Sequence, residues 1–147
     1  MTVILVTSGY FNPLHTGHLD YLGAAKEIGA INGRHIVIVN NDKQVKIKGS
    51  VLFMDERSRC RIVAALECVD RVALSVDTSK SVCETLKQIR EDHPSDVILF
   101  CKGGDRDITN IPEALLCKKL GIMIVNGVGG EKTTSSSELI KRSREKS

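Results

Sequence analysis

The stretch TVILVTSGYFNPLHTGHLDYL, residues 2–22, decides how the rest of the chain is read. Its opening TVILVTS is rich in β-branched residues and stops at Gly9, the pattern of a short strand buried on both faces. From Thr16 the spacing changes. Leu19, Leu22, Ala25 and Ile28 fall three apart along one helical stripe, and Gly29 stands where a C-terminal cap is expected. Between strand and helix lie Ser8, Gly9, Tyr10, Phe11, Asn12 and Pro13, then two of the four histidines, His15 and His18, with Gly17 between them.

The same alternation runs through the chain. RHIVIVNN (34–41) reads as a second buried strand and DKQVKIKGSVLFM (42–54) as a loop carrying Lys43, Lys46 and Lys48. Asp55 is a plausible N-cap for a helix to about Leu66, with Ile62, Val63 and Leu66 inward. RVALSV (71–76) is a third strand, and SKSVCETLKQIRED (79–92) a helix that His93–Pro94 ends. DVILFC (96–101) is a fourth strand, Pro112 opens a helix that stops before Gly121, and IMIVN (122–126) is a fifth strand. GVGGEKTTSSS is a loop, with a last helix starting near Ser135 to Ser137. Apolar strands joined by crossover helices imply a parallel sheet with helices on both faces. The expected architecture is a single doubly wound α/β domain over residues 1–147, with five strands in the order 3-2-1-4-5.

Composition narrows the function classes. The 147 residues carry a net charge of +3, too mild and too mixed for a nucleic-acid surface. No apolar run approaches the ~18 residues of a membrane span, and no basic leader precedes the first strand. The five cysteines, Cys60, Cys68, Cys83, Cys101 and Cys117, form no C-x-x-C pair, so they read as small apolar residues in a reducing compartment. With three Phe, two Tyr and no Trp, the core must be aliphatic, and a flavodoxin-like carrier fits poorly.

In open parallel sheets ligands bind beyond the C-terminal ends of the strands, where the strand order reverses. That edge collects S-G-Y-F-N-P-L-H-T-G-H after strand one, N-N-D-K-Q-V-K-I-K after strand two, K-G-G-D-R-D after strand four and G-V-G-G-E-K-T-T-S-S-S after strand five. Glycines admit phosphate oxygens to backbone N–H groups, and serines at a helix N-terminus favour an anion. His15 and His18, at i and i+3 in a first helical turn, share a face and can donate to one phosphate. Lys46 and Lys48, two apart in an extended segment, share a side. Neither G-x-x-x-x-G-K-[ST] nor G-x-G-x-x-G is present, which argues against a Walker A loop and a Rossmann dehydrogenase.

These segments resemble the cytidylyltransferase-like nucleotidyltransferases, whose H-x-G-H signature is similar to GYFNPLHTGHLDYLGAAKEIG. VNNDKQVKIKG, MDERSRCRIVAALECVD, ILFCKGGD and TTSSSELI resemble the family's further motifs, in order, over almost the whole chain. KGGD with ALECVD is similar to the adenylyltransferase domain of bacterial ADP-heptose synthases, and the single-domain length to glycerol-3-phosphate cytidylyltransferase. The R-T-E-G-I-S-T-T motif of the second branch is not matched: its arginine falls on Gly130, beside Glu131, which favours ATP over CTP. Asn12 stands where these branches usually carry Asp, removing a negative charge and a metal contact.

The resemblance implies attack by a substrate phosphate on the α-phosphorus of an NTP, with release of pyrophosphate. His15 and His18 are implied at the α- and β-phosphates, Lys46 at the α-phosphate, and Arg59, with Arg57 as its neighbour, at acceptor or triphosphate. Ser8, Gly9, Tyr10, Phe11, Asn12 and Gly17 form the nucleotide loop. Lys102, Gly103, Gly104 and Asp105 contact the nucleoside, and Thr134, Ser135, Ser136 and Ser137 seat the β,γ-phosphates. Mg2+ is expected with the NTP, held by phosphate oxygens and water and by no assigned protein ligand. The partners implied are an NTP and a small phosphorylated metabolite such as a sugar 1-phosphate, with no nucleic acid and no membrane, in a cytoplasmic homodimer. The competing readings are a CTP-dependent enzyme for a polyol or amino-alcohol phosphate and a nucleotide-binding paralogue without catalysis.

Overall fold

The computed structural model describes residues 2–103 and 112–130. The order of elements is β1 (Val3–Gly9), α1 (Thr16–Ile28), β2 (Gly33–Val39), α2 (Asp42–Lys48), α3 (Glu56–Ala64), β3 (Arg71–Leu74), α4 (Cys83–Asp92), β4 (Val97–Cys101), α5 (Glu113–Leu120) and β5 (Met123–Val125). All strand pairs are parallel, and the sheet order is β3-β2-β1-β4-β5, as the sequence pattern implies. All five strands therefore end at one edge. β1 lies at the centre, where the winding reverses.

Alternation along the strands sorts the core. Ile4, Val6, Ile36, Ile38, Ile98 and Phe100 face Val82, Leu86 and Ile89 beside α4 and Cys117 of α5. Val37 and Val39 face the other way, toward Leu22 of α1 and Val63 of α3, and Leu5 packs with Ala25. Each such buried aliphatic side chain stabilises the fold by about 2 kcal/mol relative to exposure. Two helical layers cover one sheet, which is the doubly wound arrangement.

Several local expectations need correction. Residues 42–48, read as loop, form α2. Asn41 caps it by accepting from the Gln44 amide at 3.0 Å, Gln44 returns a bond to the Asn41 amide, and Gly49 closes it at φ +82°. The buried line of α1 is Leu22 and Ala25, while Leu19 and Ile28 are 42% and 44% exposed. Ile62 is also exposed, and α3 turns Arg59 and Val63 inward instead. α4 begins at Cys83, not at 79, because Ser79 and Ser81 spend their carbonyls on Gln44. Gly29 closes α1 with right-handed torsions. Its bare Cα matters for proximity, since a Cβ there would sit 2.8 Å from the Gly33 Cα. His35 is fully buried in β2. It bonds Thr7 Oγ1 at 2.8 Å through Nε2 and the Cys68 carbonyl at 2.7 Å through Nδ1.

Candidate active site

The loop after β1 is built around one aromatic ring. Phe11 has φ +51°, a left-handed conformation that costs an L-residue about 1–2 kcal/mol. Burial of its ring to 1% exposure, among Leu22, Val39 and Val63, offsets that cost. The ring lies under Gly9, where a Cβ would come within 2.8 Å of it, so Gly9 must lack a side chain. On its other side Phe11 meets His18 edge-on, with centroids 4.9 Å apart. Phe11 is thus a packing residue that seats a histidine. Tyr10 lies half-buried beside it. Ser8 donates its amide to the Tyr21 hydroxyl at 3.4 Å, and Gly9 accepts the Asn40 amide at 2.9 Å.

His15 is the N-cap of α1, with extended torsions. Its Nδ1 accepts the Gly17 amide at 3.1 Å, and the His18 Nδ1 accepts the His15 amide at 3.1 Å. The result is a capping box made from two imidazoles. A nitrogen that accepts an N–H carries no proton, so these bonds assign the neutral Nε2–H tautomer to both rings. The rings stack, with centroids 3.8 Å apart and planes 24° from parallel. The two stacked rings thus carry their protons on Nε2 beyond the end of the central strand, and the His15 Nε2 is buried.

Two buried polar side chains brace this loop. Arg59, expected to hold acceptor or triphosphate, is instead fully buried. It donates from Nε to Met54 O (3.0 Å), from Nη1 to Tyr10 O (2.8 Å) and Asn40 O (2.5 Å), and from Nη2 to Asp42 Oδ1 (2.8 Å). Four N–H donors are spent on the protein, so Arg59 frames the site from behind; its neighbour Arg57 is exposed. Asn12, 2% exposed, donates from Nδ2 to Val51 O at 2.7 Å and accepts the Phe53 and Met54 amides at 2.8 and 3.3 Å. The Asn12–Pro13 peptide bond is cis.

The lysines are rearranged by the presence of α2. Two residues apart on a helix is about 200° of rotation, so Lys46 and Lys48 point to opposite sides, contrary to the extended reading. Lys48 follows buried Gln44 and Val45 by four and three positions and so lies on their face. Its Nζ sits 4.3 Å from the Tyr10 ring centroid. Lys48 thus reaches the first loop. Lys102, expected at the nucleoside, is 8% exposed with its ammonium over the Phe100 ring, 4.9 Å from the centroid, on the α4–α5 face. Its backbone pairs with Val125 O and the Val128 amide. Gly103 lies beneath Tyr21, a residue the sequence reading passed over. The Tyr21 hydroxyl also donates to the Cys101 carbonyl, tying the ends of β1 and β4 together. Gly104, Asp105, Glu131, Thr134, Ser135, Ser136 and Ser137 lie outside the described residues.

Burial pushes every cysteine thiol up, Cys101 to about 11 and Cys117 to about 12. These are packed thiols, not thiolate nucleophiles. Among the described residues no group of three or more His, Cys, Asp or Glu could hold a metal ion, and no helix is long and apolar enough to cross a membrane.

The model of the cytidylyltransferase-like family matches residues 6–142. The chain is 36% identical to a D-beta-D-heptose 1-phosphate adenylyltransferase of Bordetella bronchiseptica, over 80% of this chain and 68% of that one. It is 35% identical to an FAD synthase of Methanopyrus kandleri, over 71% of this chain and 64% of that one. The chain spans only about a quarter (27%) of the bifunctional HldE protein of Geobacter metallireducens. Among solved structures, a lipopolysaccharide core biosynthesis protein from Thermoplasma volcanium superposes with a TM-score of 0.66 at 26% identity, covering 86% of this chain and 96% of that one.

Proposed function

The chain belongs to the cytidylyltransferase-like family and is a nucleotidyltransferase, and from that premise we propose that it transfers the adenylyl group of ATP to the phosphate of a sugar 1-phosphate. The observation that carries this reading is the stacked His15–His18 pair, whose Nδ1 bonds assign the Nε2–H tautomer to both rings at the switch point of the sheet.

In this reading a phosphate oxygen of the acceptor attacks the α-phosphorus of the NTP in line. The new P–O bond forms as the bond to the β-phosphate oxygen breaks, and pyrophosphate leaves. His15 and His18 donate to the α- and β-phosphate oxygens, stabilising charge that grows in the transition state. Lys48 adds positive charge from the α2 side, and Lys46 faces away from it. Arg59 and Phe11 hold the loop in place, so little reorganisation is needed when charge develops. Gly104, Asp105 and the Thr134–Ser137 segment are assigned to the nucleoside and the β,γ-phosphates on the sequence resemblance alone.

Asn12 Oδ1 is committed to two amides and Asp42 to Arg59, so the donors around the loop suit a cation that keeps phosphate and water ligands. Mg2+ entering with the NTP would neutralise phosphate charge there. A cytoplasmic homodimer completes the proposal.

The test is pyrophosphate release across four NTPs crossed with heptose 1-phosphate, other sugar 1-phosphates, glycerol 3-phosphate, amino-alcohol phosphates and FMN. ATP with a sugar 1-phosphate is expected to give the highest kcat/KM. CTP with a polyol phosphate, or ATP with FMN, would redirect the assignment. Binding of NTP without release from any pair would reduce the chain to a nucleotide-binding paralogue.

A further inference from the structure

Segment 51–54 has no helix or strand, and Val51, Leu52 and Phe53 expose 45%, 37% and 51% of their surface. Apolar burial therefore does little to hold it. It is nevertheless bonded at four points, three to the loop after β1 and one to α3. Asn12 supplies three of them, to Val51 O, Phe53 N and Met54 N, and Arg59 Nε supplies the fourth, to Met54 O. Arg59 also holds Tyr10 O, so the two side chains staple residues 10–12 to residues 51–54.

We propose that Asn12 is a positioning residue for nucleotidyl transfer: its amide locks segment 51–54 against the His15–His18 loop, and it acts through that bond rather than as a metal ligand. The partners fix the direction of the amide. Phe53 and Met54 offer donors and must face the side-chain oxygen; Val51 offers a carbonyl and must face the side-chain nitrogen. An aspartate carboxylate has no proton for Val51 O and would set two oxygens against each other. Both lone pairs of Asn12 Oδ1 are aimed at amides, so a cation there would have to displace two hydrogen bonds. Asn12 stands three residues before His15, next to the strained Phe11 and inside the same loop. Loosening it shifts the frame on which the histidine rings stack. The kinetic part of this inference rests on the nucleotidyltransferase reading; the structural part does not.

The experiment has two arms on the full chain. In the first, amide hydrogen exchange is followed by NMR in the wild type, Asn12→Ala and the isosteric Asn12→Asp. Phe53 and Met54 amides should be protected in the wild type and exchange ~10-fold or more faster in both variants, with β1 amides as the control for folding. Unprotected Phe53 and Met54 in the wild type, or wild-type exchange in Asn12→Asp, overturns the lock. The second arm uses the substrate pair found by the pyrophosphate screen. Both variants should lose ~10-fold in kcat with the NTP KM within about 3-fold, as expected for lost alignment rather than lost binding. The Mg2+ concentration for half-maximal rate should stay within about 2-fold of the wild type, since the lock does not touch the cation. An unchanged kcat reduces Asn12 to a fold residue, and a several-fold lower Mg2+ requirement in Asn12→Asp identifies a metal contact; either result overturns the proposal. If no pair is turned over even by the wild type, the functional reading has failed, and hydrogen exchange still decides the lock.

Discussion

His35 and the His15–His18 pair are the same residue type in opposite settings, one inside β2 and the other at the start of α1. His35 is sealed within β2, with one ring nitrogen on Thr7 and the other on the Cys68 carbonyl. Both its hydrogen-bonding sites serve the fold. In the pair beyond β1, backbone amides bond Nδ1 of each ring, and that bond decides where the proton sits. The lesson is that a local hydrogen bond can prepare a side chain for chemistry or use it up.

The largest effect that can break this contrast is kinetic. His15→Ala or His18→Ala should lower turnover by ~100-fold or more, the scale of lost transition-state donors. His15→Ala should also melt somewhat earlier, because an N-cap is worth about 1 kcal/mol. Steady-state rates of pyrophosphate release beside circular dichroism read both quantities. Near-normal turnover in both variants would dissolve the distinction. A smaller effect tests the neighbouring cations. Lys48→Ala should lose ~10-fold in kcat/KM and Lys46→Ala no more than about 2-fold, since Lys48 reaches the loop and Lys46 points to the opposite side of α2. Equal losses would mean that α2 does not set which lysine acts.

The smallest effect concerns His35. Burial holds its imidazole below the ordinary 6.5, outweighing the Cys68 bond and Asp70, which pull the other way. The unfolded chain then takes up a proton before the folded one. This contribution to stability is complete above about pH 6.5 and is lost as the pH falls below that toward the lowered folded value. Asp70 is raised by burial but lowered more by Lys26 and the His35 amide, and Asp55 is lowered by the Ser58 amide; both act only below 3.8. Thermal melts at about pH 7.5 and about pH 5.5 should show a drop in Tm that His35→Gln narrows by a few degrees, with kcat unchanged. An identical drop in both chains would remove His35 as its source.

The sheet order, and with it the edge on which the candidate site lies, was legible because it follows from short-range pattern: apolar strands, alternating helices and the handedness of crossovers. α2 was misread because Val45, Lys46, Ile47 and Lys48 alternate apolar and charged residues and imitate an extended segment. Its N-terminal signal was present, since Asn41 and Gln44 form the two ends of a capping box and Gly49 follows the last turn. Arg59 and Asn12 were not legible in the same way. Their partners are carbonyls and amides up to 49 positions away, and only the folded chain brings those groups together. A charged residue on a helix is usually solvated. Nothing local marks the one whose guanidinium threads behind a loop.

The position of β1 has a consequence for how the molecule assembles. Val3 is paired with Gly33 on one side and with Val97 on the other, across 30 and 94 positions of chain. The strand that carries the histidine loop precedes the other four strands in the chain and waits for β4 to gain its second neighbour. The short-range half, β1 with β2, closes a small loop at modest entropic cost; the long-range half comes later and costs more. A growing chain stopped before residue 97 would therefore hold the whole signature sequence beside an open sheet edge, with Tyr21 still lacking the Cys101 carbonyl that ties it to β4.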